Sequence, residues 1–395
     1  MKMKIGDIST YIRRGITPKY VVENGYAVVN QKCIRDGKVN YEYIKYTDIH
    51  KKYNEEKKVK QGDILINSTG TGTLGRVAYV DKDASYTYVD SHVTILRCEN
   101  YNSKFLYYWL SSLEKYIESL GKGSTNQIEL NKDAIEEIEI PKLDLEQQNI
   151  VVENLSTYDD LIENNQKQIK LLEEAAQRLY KEWFVDLHFP GYEDVKIVDG
   201  VPEGWTYKRV DEFGEVITGK TPSTSKTEYY CGSIPFVTIP DMHGKVFPLV
   251  TEKTLTKAGA DAQRNKYLPV NSVIVSCIAT VGLVNIAVEP CQTNQQINSV
   301  VLYNDNDLYF FYESMKRIKT LLDGVGSNGA TMTNVNKTKF SNIHVLYPTE
   351  DLVKRYNGFC KPIFNNILAL SKGILVSTQA RDRLLPKLMS GEIEV

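Results

Sequence analysis

The sequence predicts an α+β protein in which a β-rich domain is written twice, each copy followed by a long helix. Three observations predict it. An internal repeat runs at a spacing of about 205 to 209 residues. Short β-branched and tyrosine runs alternate with Gly, Asn, Asp and Ser turns in both halves. Heptad-spaced apolar stripes follow at corresponding places. The 395 residues are ample for such a chain, and the divisions fall at 1–143, 144–189, 190–348 and 349–395.

The repeat is legible in three stretches. GDILINSTGTGTLGRVAYV (62–80) matches NSVIVSCIATVGLVNIAV (271–288), with Gly75 against Gly282 after a two-residue gap. AVVNQKCIRDG (27–37) matches PFVTIPDMHG (235–244), with Gly37 against Gly244. GKGSTNQIELNKDAIEEIEIP (121–141) matches GVGSNGATMTNVNKTKFSNIHVLYP (324–348), so both copies end in a short alternating strand and a proline. Within the first β-rich part, SKFLYYWLSSLEKYIESL (103–120) has helical spacing. Gly62-Asp63 and the Gly75 turn read as structural. The 26 tyrosines against 11 phenylalanines suit half-buried strands first and recognition surfaces second.

The helices carry the strongest signal. Asp144 with Gln147 makes a capping-box start. Val151, Leu155, Tyr158, Ile162, Ile169, Leu172, Ala176, Leu179 and Trp183 then keep a three-four alternation interrupted by Asn165. In the second copy Val353, Tyr356, Cys360, Ile363, Ile367, Leu370 and Ile374 do the same; Ser377 and Arg381 interrupt before Leu384 and Leu388. More than four heptads, twice, indicate a coiled coil. Pro362 is expected to kink the second helix or delay its start, and Pro386 to end its seam. Trp183 and Phe184 either bury against the other helix, the favoured reading, or anchor a partner.

Charge divides the same way. Basic and acidic residues number 22 and 19 in 1–143, 4 and 10 in 144–189, 15 and 16 in 190–348, and 7 and 5 in 349–395. A first helix at −6 and a second at +2 suit pairing with each other. The first will not lie along a polyanion. The net charge of −2 does not advertise nucleic-acid binding. No apolar run approaches a membrane span and the N-terminus has no signal-like core, so a cytoplasmic protein without membrane contact is expected. Six scattered cysteines without a C-x-x-C pair and five histidines without ligand spacing give no metal site.

Enzymatic motifs fail on inspection. GEVITGKTPS (214–223) satisfies G-x-x-x-x-G-K-S/T, which would put Lys220 on phosphates and Thr221 on magnesium. Its repeat partner, however, is GITP (15–18), so the shared element is G-x-T-P, a tight turn, and no helical stripe follows. TGTGTLG (69–75) lacks the downstream acidic residue of a dinucleotide fold. No Pro-Pro, nuclease-like carboxylate cluster or Ser/His/Asp set is present, so a chain without its own chemistry is expected.

LLEEAAQRLYKEWFVDLHFPGYE (171–193), DGVPEGW (199–205), GKTPSTSKTEYYCGSIPF (219–236) and the ending RDRLLPKLMSGEIEV (381–395) resemble the specificity subunit of type I restriction–modification systems. The resemblance covers essentially the whole chain; the first copy departs in lacking the P-E-G-W lead-in. It implies two target-recognition domains, each reading one half of a bipartite double-stranded DNA site. It implies spacer helices paired as an antiparallel coiled coil that fix the separation. A helix over 151–183 spans about 50 Å at about 1.5 Å per residue. It further implies two methyltransferase subunits that use S-adenosylmethionine, and restriction/translocase subunits that use ATP and Mg. No cofactor is then bound by this chain.

DNA-binding candidates are polar residues in loops that recur in both copies, since Arg, Asn and Gln read base edges while Lys, Ser and Thr hold phosphates. In the first they are Arg13, Arg14, Lys19, Gln31, Lys32, Arg35, Thr71, Arg76, Lys122, Ser124 and Gln127. In the second they are Lys220, Thr221, Thr238, Asp241, Ser276, Thr280, Asn294, Gln295, Ser327 and Asn328. The competing reading is a non-catalytic coiled-coil scaffold that binds only proteins, which the acidic helix and near-neutral charge favour. Polar loop sets in duplicated domains favour DNA.

Overall fold

A computed structural model describes residues 2–82, 84, 87–123, 128–323, 334–390 and 392–393. The chain divides into two compact units, Met1–Asp160 with Ser377–Val395, and Leu161–Val376.

In the first unit the strands Ser9–Arg14, Val93–Cys98, Ile64–Asn67 and Val77–Tyr79 lie side by side in that order, antiparallel throughout. In the second, Gly214–Thr218, Ile297–Leu302, Val273–Ser276 and Val284–Ile286 take the same order and sense. A smaller sheet repeats as well. Thr87–Val89 runs parallel to Gly25–Val29, which pairs antiparallel with Lys45–Asp48. Gln292–Thr293, Tyr230–Val237 and Lys253–Leu255 reproduce that arrangement. Each copy is closed by its own ends: Lys2–Lys4 pairs with Glu139–Pro141, and Thr206–Arg209 with His344–Tyr347. The duplication read from sequence is a duplication of topology.

The strands Ile64–Asn67 and Val273–Ser276 are buried at every position because both faces are covered. Ile64 and Ile66 enter a core with Phe105, Leu106 and Leu110 of the helix Ser103–Ser112, whereas Leu65 enters another with Val29, Cys33 and Ile95. In the second copy Val273 and Val275 divide from Ile274 in the same way. The stretch expected as one helix over 103–120 is two, Ser103–Ser112 and Glu114–Ser119. The break falls at Leu113, and beside it the Glu114 carboxylate accepts the Val77 N–H at 2.8 Å.

Gly62 and Asn271 occupy matching left-handed turns, with φ of 87° and 67°. Asp63 is buried under a guanidinium fork from Arg97 at 2.7 and 3.0 Å, so this pair of residues is structural as expected.

The long helices run Leu145–Phe184 and Glu350–Ser390. The capping box forms as expected: Gln147 N–H donates to Asp144 Oδ1 at 2.8 Å, and Asp144 N–H to Gln147 Oε1 at 3.2 Å. The helices pair antiparallel in the second unit, where Tyr356 Oη donates to Ala176 O at 3.3 Å and Gly373 faces Asn165. Trp183 and Phe184 are buried against Tyr356, so the favoured reading holds. Trp205 of P-E-G-W packs its ring, tilted, against Phe184 and Phe189 and so covers the end of the central helix.

The delayed start expected at Pro362 and the seam end expected at Pro386 are corrected. The second helix continues through Pro362 and Pro386, and Leu388 and Met389 beyond them are buried. Each proline removes the donor for the carbonyl four residues earlier. Those carbonyls belong to Gly358 and Asp382, both exposed, so water replaces the lost bond.

Candidate nucleic-acid interface

Both copies build the same loop edge around G-x-T-P. Gly15 lies against the carbonyls of Val89 and Asp90, and Gly219 against those of Thr293 and Asn294, with no room for a Cβ in either. The N–H groups of Gly15 and Ile16 donate to Val93 O and Val89 O at 3.0 and 2.6 Å. Those of Gly219 and Lys220 donate to Ile297 O and Thr293 O at 3.0 and 2.9 Å. The amides that a nucleotide phosphate needs are thus bonded to strand carbonyls. Beyond Thr221 the chain is coil and then the short 3-10 turn Thr227–Tyr229, not a helix N-terminus. GKTP is therefore a chain crossing.

Around this crossing four further segments converge in each copy. In the first, Asn67 Nδ2 donates to Gln31 O, Thr69 Oγ1 bonds His92 Nδ1 at 2.8 Å, and Leu130 N–H donates to Ser68 O. Segments 15–18, 30–32, 67–72, 90–92 and the residues 122–123 and 128–130 are thereby gathered. In the second, Asn294 N–H donates to Val237 O, Cys277 N–H to Gln296 O, and Val335 N–H to Cys277 O. These bonds gather 219–222, 237–241, 276–280, 294–296 and 334–335. The backbone bonds of one copy have counterparts in the other, as with Ser68 N–H donating to His92 O.

The candidates distribute unevenly over this edge. Gln31, Thr71 and Lys122 lie on it in the first copy, and Lys220, Thr221, Thr280, Asn294 and Gln295 in the second. Arg13 and Lys32 are exposed beside it. Arg14 is committed to Leu130 O at 3.0 Å and to Glu129 at 3.2 Å. Lys19 pairs with Asp48 at 3.0 Å on the neighbouring sheet. Arg35 and Arg76 face a polar depression of about 430 Å³ with Asp36, Gly37 and Glu114. There burial pushes the Glu114 carboxyl up, while the Val77 N–H and Arg76 draw it down. Ser124, Gln127, Ser327 and Asn328 lie outside the described residues.

Two candidates are withdrawn inward. Ser276 is fully buried, donating to Thr280 O and accepting the Leu283 N–H, so it closes its own turn. Asp241 is buried and accepts from the Thr238 N–H, the Thr238 hydroxyl and the Glu252 N–H, which makes it a loop staple. A group with its bonds met inside the fold has nothing to offer a base. Thr238 is engaged by the same cap.

Sequence reading missed segment 90–92. Asp90 is buried, accepts the His92 N–H at 2.8 Å and holds the Tyr20 hydroxyl, while His92 is exposed. The available signal was VDSHVT (89–94) against TNQQIN (293–298), each polar triplet opening an apolar strand. Among the described residues no cluster of His, Cys, Asp or Glu is placed to hold a metal ion, and no helix is long and apolar enough to cross a membrane.

Two tandem copies of one β-rich domain, each presenting a polar loop edge and carried on paired helices, define a recognition protein. Comparison with known proteins gives the class its family. The family model for the type I restriction modification DNA specificity domain matches residues 1–174 and 202–354. The HindI type I restriction enzyme specificity subunit of Haemophilus influenzae is 31% identical, covering 98% of each chain. The MjaIX specificity subunit of Methanocaldococcus jannaschii is 26% identical over 90% of this chain and 85% of its own. The solved S subunit from M. genitalium shares the fold, with a TM-score of 0.60 at 18% identity, covering 98% of this chain and 96% of that one. The chain belongs to the type I restriction–modification specificity family, as a non-catalytic DNA-specificity subunit with two tandem recognition domains.

Proposed function

We propose that each recognition domain reads one half of a bipartite double-stranded DNA site through its five-segment edge. The paired helices set the unspecified gap and dock two methyltransferase subunits. Those subunits supply S-adenosylmethionine chemistry on adenine, restriction/translocase subunits supply ATP- and Mg-dependent cleavage, and this chain holds no cofactor. Its place is the cytoplasm, where the DNA is. The observation that carries the reading is the loop edge built twice on one framework with different polar side chains. A framework kept constant while its tips change is what a reader of two different half-sites requires. Gln31, Lys32, Thr71, Lys122, Lys220, Thr280 and Gln295 are the contact residues it retains, with Thr221 beside Gln295; Asn294 is bonded within its own segment.

Mapping adenine methylation in cells carrying this chain and its cognate methyltransferase gives the motif directly. Matched four-residue insertions near Glu163 and Gly373 are expected to lengthen the gap and leave both half-sites unchanged. An unchanged gap overturns the spacer role. A reconstituted complex that binds no DNA above competitor favours the protein-only scaffold.

A further inference from the structure

We infer that Gln295 is a base-reading residue of the second recognition domain, that it reads an adenine in the major groove, and that Thr221 is its positioning residue. The inference rests on the DNA-reading function proposed above. Three neutral side chains, Asn294, Gln295 and Gln296, form the tip of one segment of that domain's loop edge. Asn294 is bonded at both ends to Gln296: its Nδ2 donates to the Gln296 side-chain Oε1 at 3.1 Å, and its Oδ1 accepts the Gln296 backbone N–H at 3.1 Å. Gln295 is the exposed member, and its Oε1 accepts the Thr221 hydroxyl at 2.7 Å.

That one bond tethers one end of the amide and leaves the other open. The carbonyl end is tethered with a lone pair remaining, and the Nε2 amine makes no hydrogen bond among the described residues. An amide offering one acceptor and one donor side by side matches adenine, whose major-groove edge shows the N6 amine as donor and N7 as acceptor. Guanine shows two acceptors there, O6 and N7, so the tethered carbonyl would face another lone pair.

The tether is itself held. Lys220 N–H donates to Thr293 O at 2.9 Å, and Gln263 Nε2 reaches Lys220 O at 2.7 Å while also donating to Gln292 Oε1 at 2.7 Å. Thr221 therefore leaves a segment bonded on both sides, and a preorganised reader loses little freedom on binding. The first copy carries Asp90–Ser91–His92 at the corresponding place, so the same framework there presents a serine and a histidine.

The test uses the full chain assembled with its methyltransferase subunits. Gln295→Ala and the near-isosteric Gln295→Glu are expected to relax one A·T position of the second half-site in methylation maps. The first half-site and the gap stay as they were. Competition with oligonucleotides substituted at that position is expected to lose roughly 5- to 150-fold discrimination, the range of one bidentate contact. Thr221→Val is expected to relax the same position partially and Thr221→Ser to restore it, which a merely structural threonine would not do. A wild-type motif kept by both Gln295 variants overturns the inference and leaves the parent reading standing. A wild-type complex without a bipartite motif overturns both.

Discussion

Glu313 shows how much one side chain can weigh. It lies on the helix Leu308–Lys316 at 3% exposure, with Oε1 lacking a partner. Burial is the main cause that pushes its carboxyl up to about 7; Lys316 draws it down and Glu173, itself raised chiefly by burial, pushes it further up. An acid whose folded value exceeds its ordinary 4.5 binds its proton more tightly folded than unfolded. Stability from this group is therefore complete below about 4.5 and declines as pH rises toward about 7. The full span amounts to about 3 kcal/mol. Glu313→Gln keeps the shape and removes the titration. Urea unfolding is expected to show the variant more stable by about 2–3 kcal/mol at pH 8 and similar at pH 4.5. Parallel pH profiles for the two proteins would refute this account.

At the scale of elements, the polar interruptions of the helices turn out to be partners. Asn165 is buried opposite Gly373, where a Cβ would stand 3.2 Å from its Nδ2. Arg381 Nη1 donates to Asp159 Oδ1 at 2.7 Å, and Tyr108 Oη donates to Asp159 Oδ2 at 2.5 Å. Arg381→Met strands a half-buried carboxylate on one hydroxyl and is expected to cost about 1–3 kcal/mol. Adding Asp159→Leu is expected to recover part of that loss, because removing both charges also removes the desolvation. A double-mutant cycle by chemical denaturation measures the coupling; purely additive losses contradict the pairing.

These interruptions also mark where sequence reading stops. Heptads from Val151 to Trp183 were legible because apolar periodicity is local. That Asn165 meets a glycine, or that Gly358 leaves the carbonyl opposite Pro362 open to water, is a fact about two chain segments at once. The same limit separates the candidates: Ser276 and Gln295 look alike as polar loop residues, and only packing turns one inward and leaves the other out. Segment 90–92 escaped because its triplet shares no residue with 294–296, although their backbones correspond.

For the whole molecule, the compact units do not follow the repeat. The repeat divides the chain near its middle, whereas the first unit combines Met1–Asp160 with Ser377–Val395. Leu385, Leu388 and Met389 complete a core with Ile135, Ile140, Val151 and Leu155. Deleting 377–395 is therefore expected to lower the unfolding midpoint of the first unit, which also loses the Arg381–Asp159 pair. The second unit should keep its own. Domain-resolved hydrogen exchange or limited proteolysis checks this, and equal loosening of both units would contradict it.

The same division sets an order of events during synthesis. Leu161–Val376 is one unbroken stretch, so every residue it needs is translated before Ser377–Val395, which the first unit still requires. The first unit begins earlier yet waits for Ser377–Val395 to be made. The domain translated first is thus the one whose folding is completed last, and in nascent chains Ile135, Ile140, Val151 and Leu155 should stay without their covering residues until Met389 has been made.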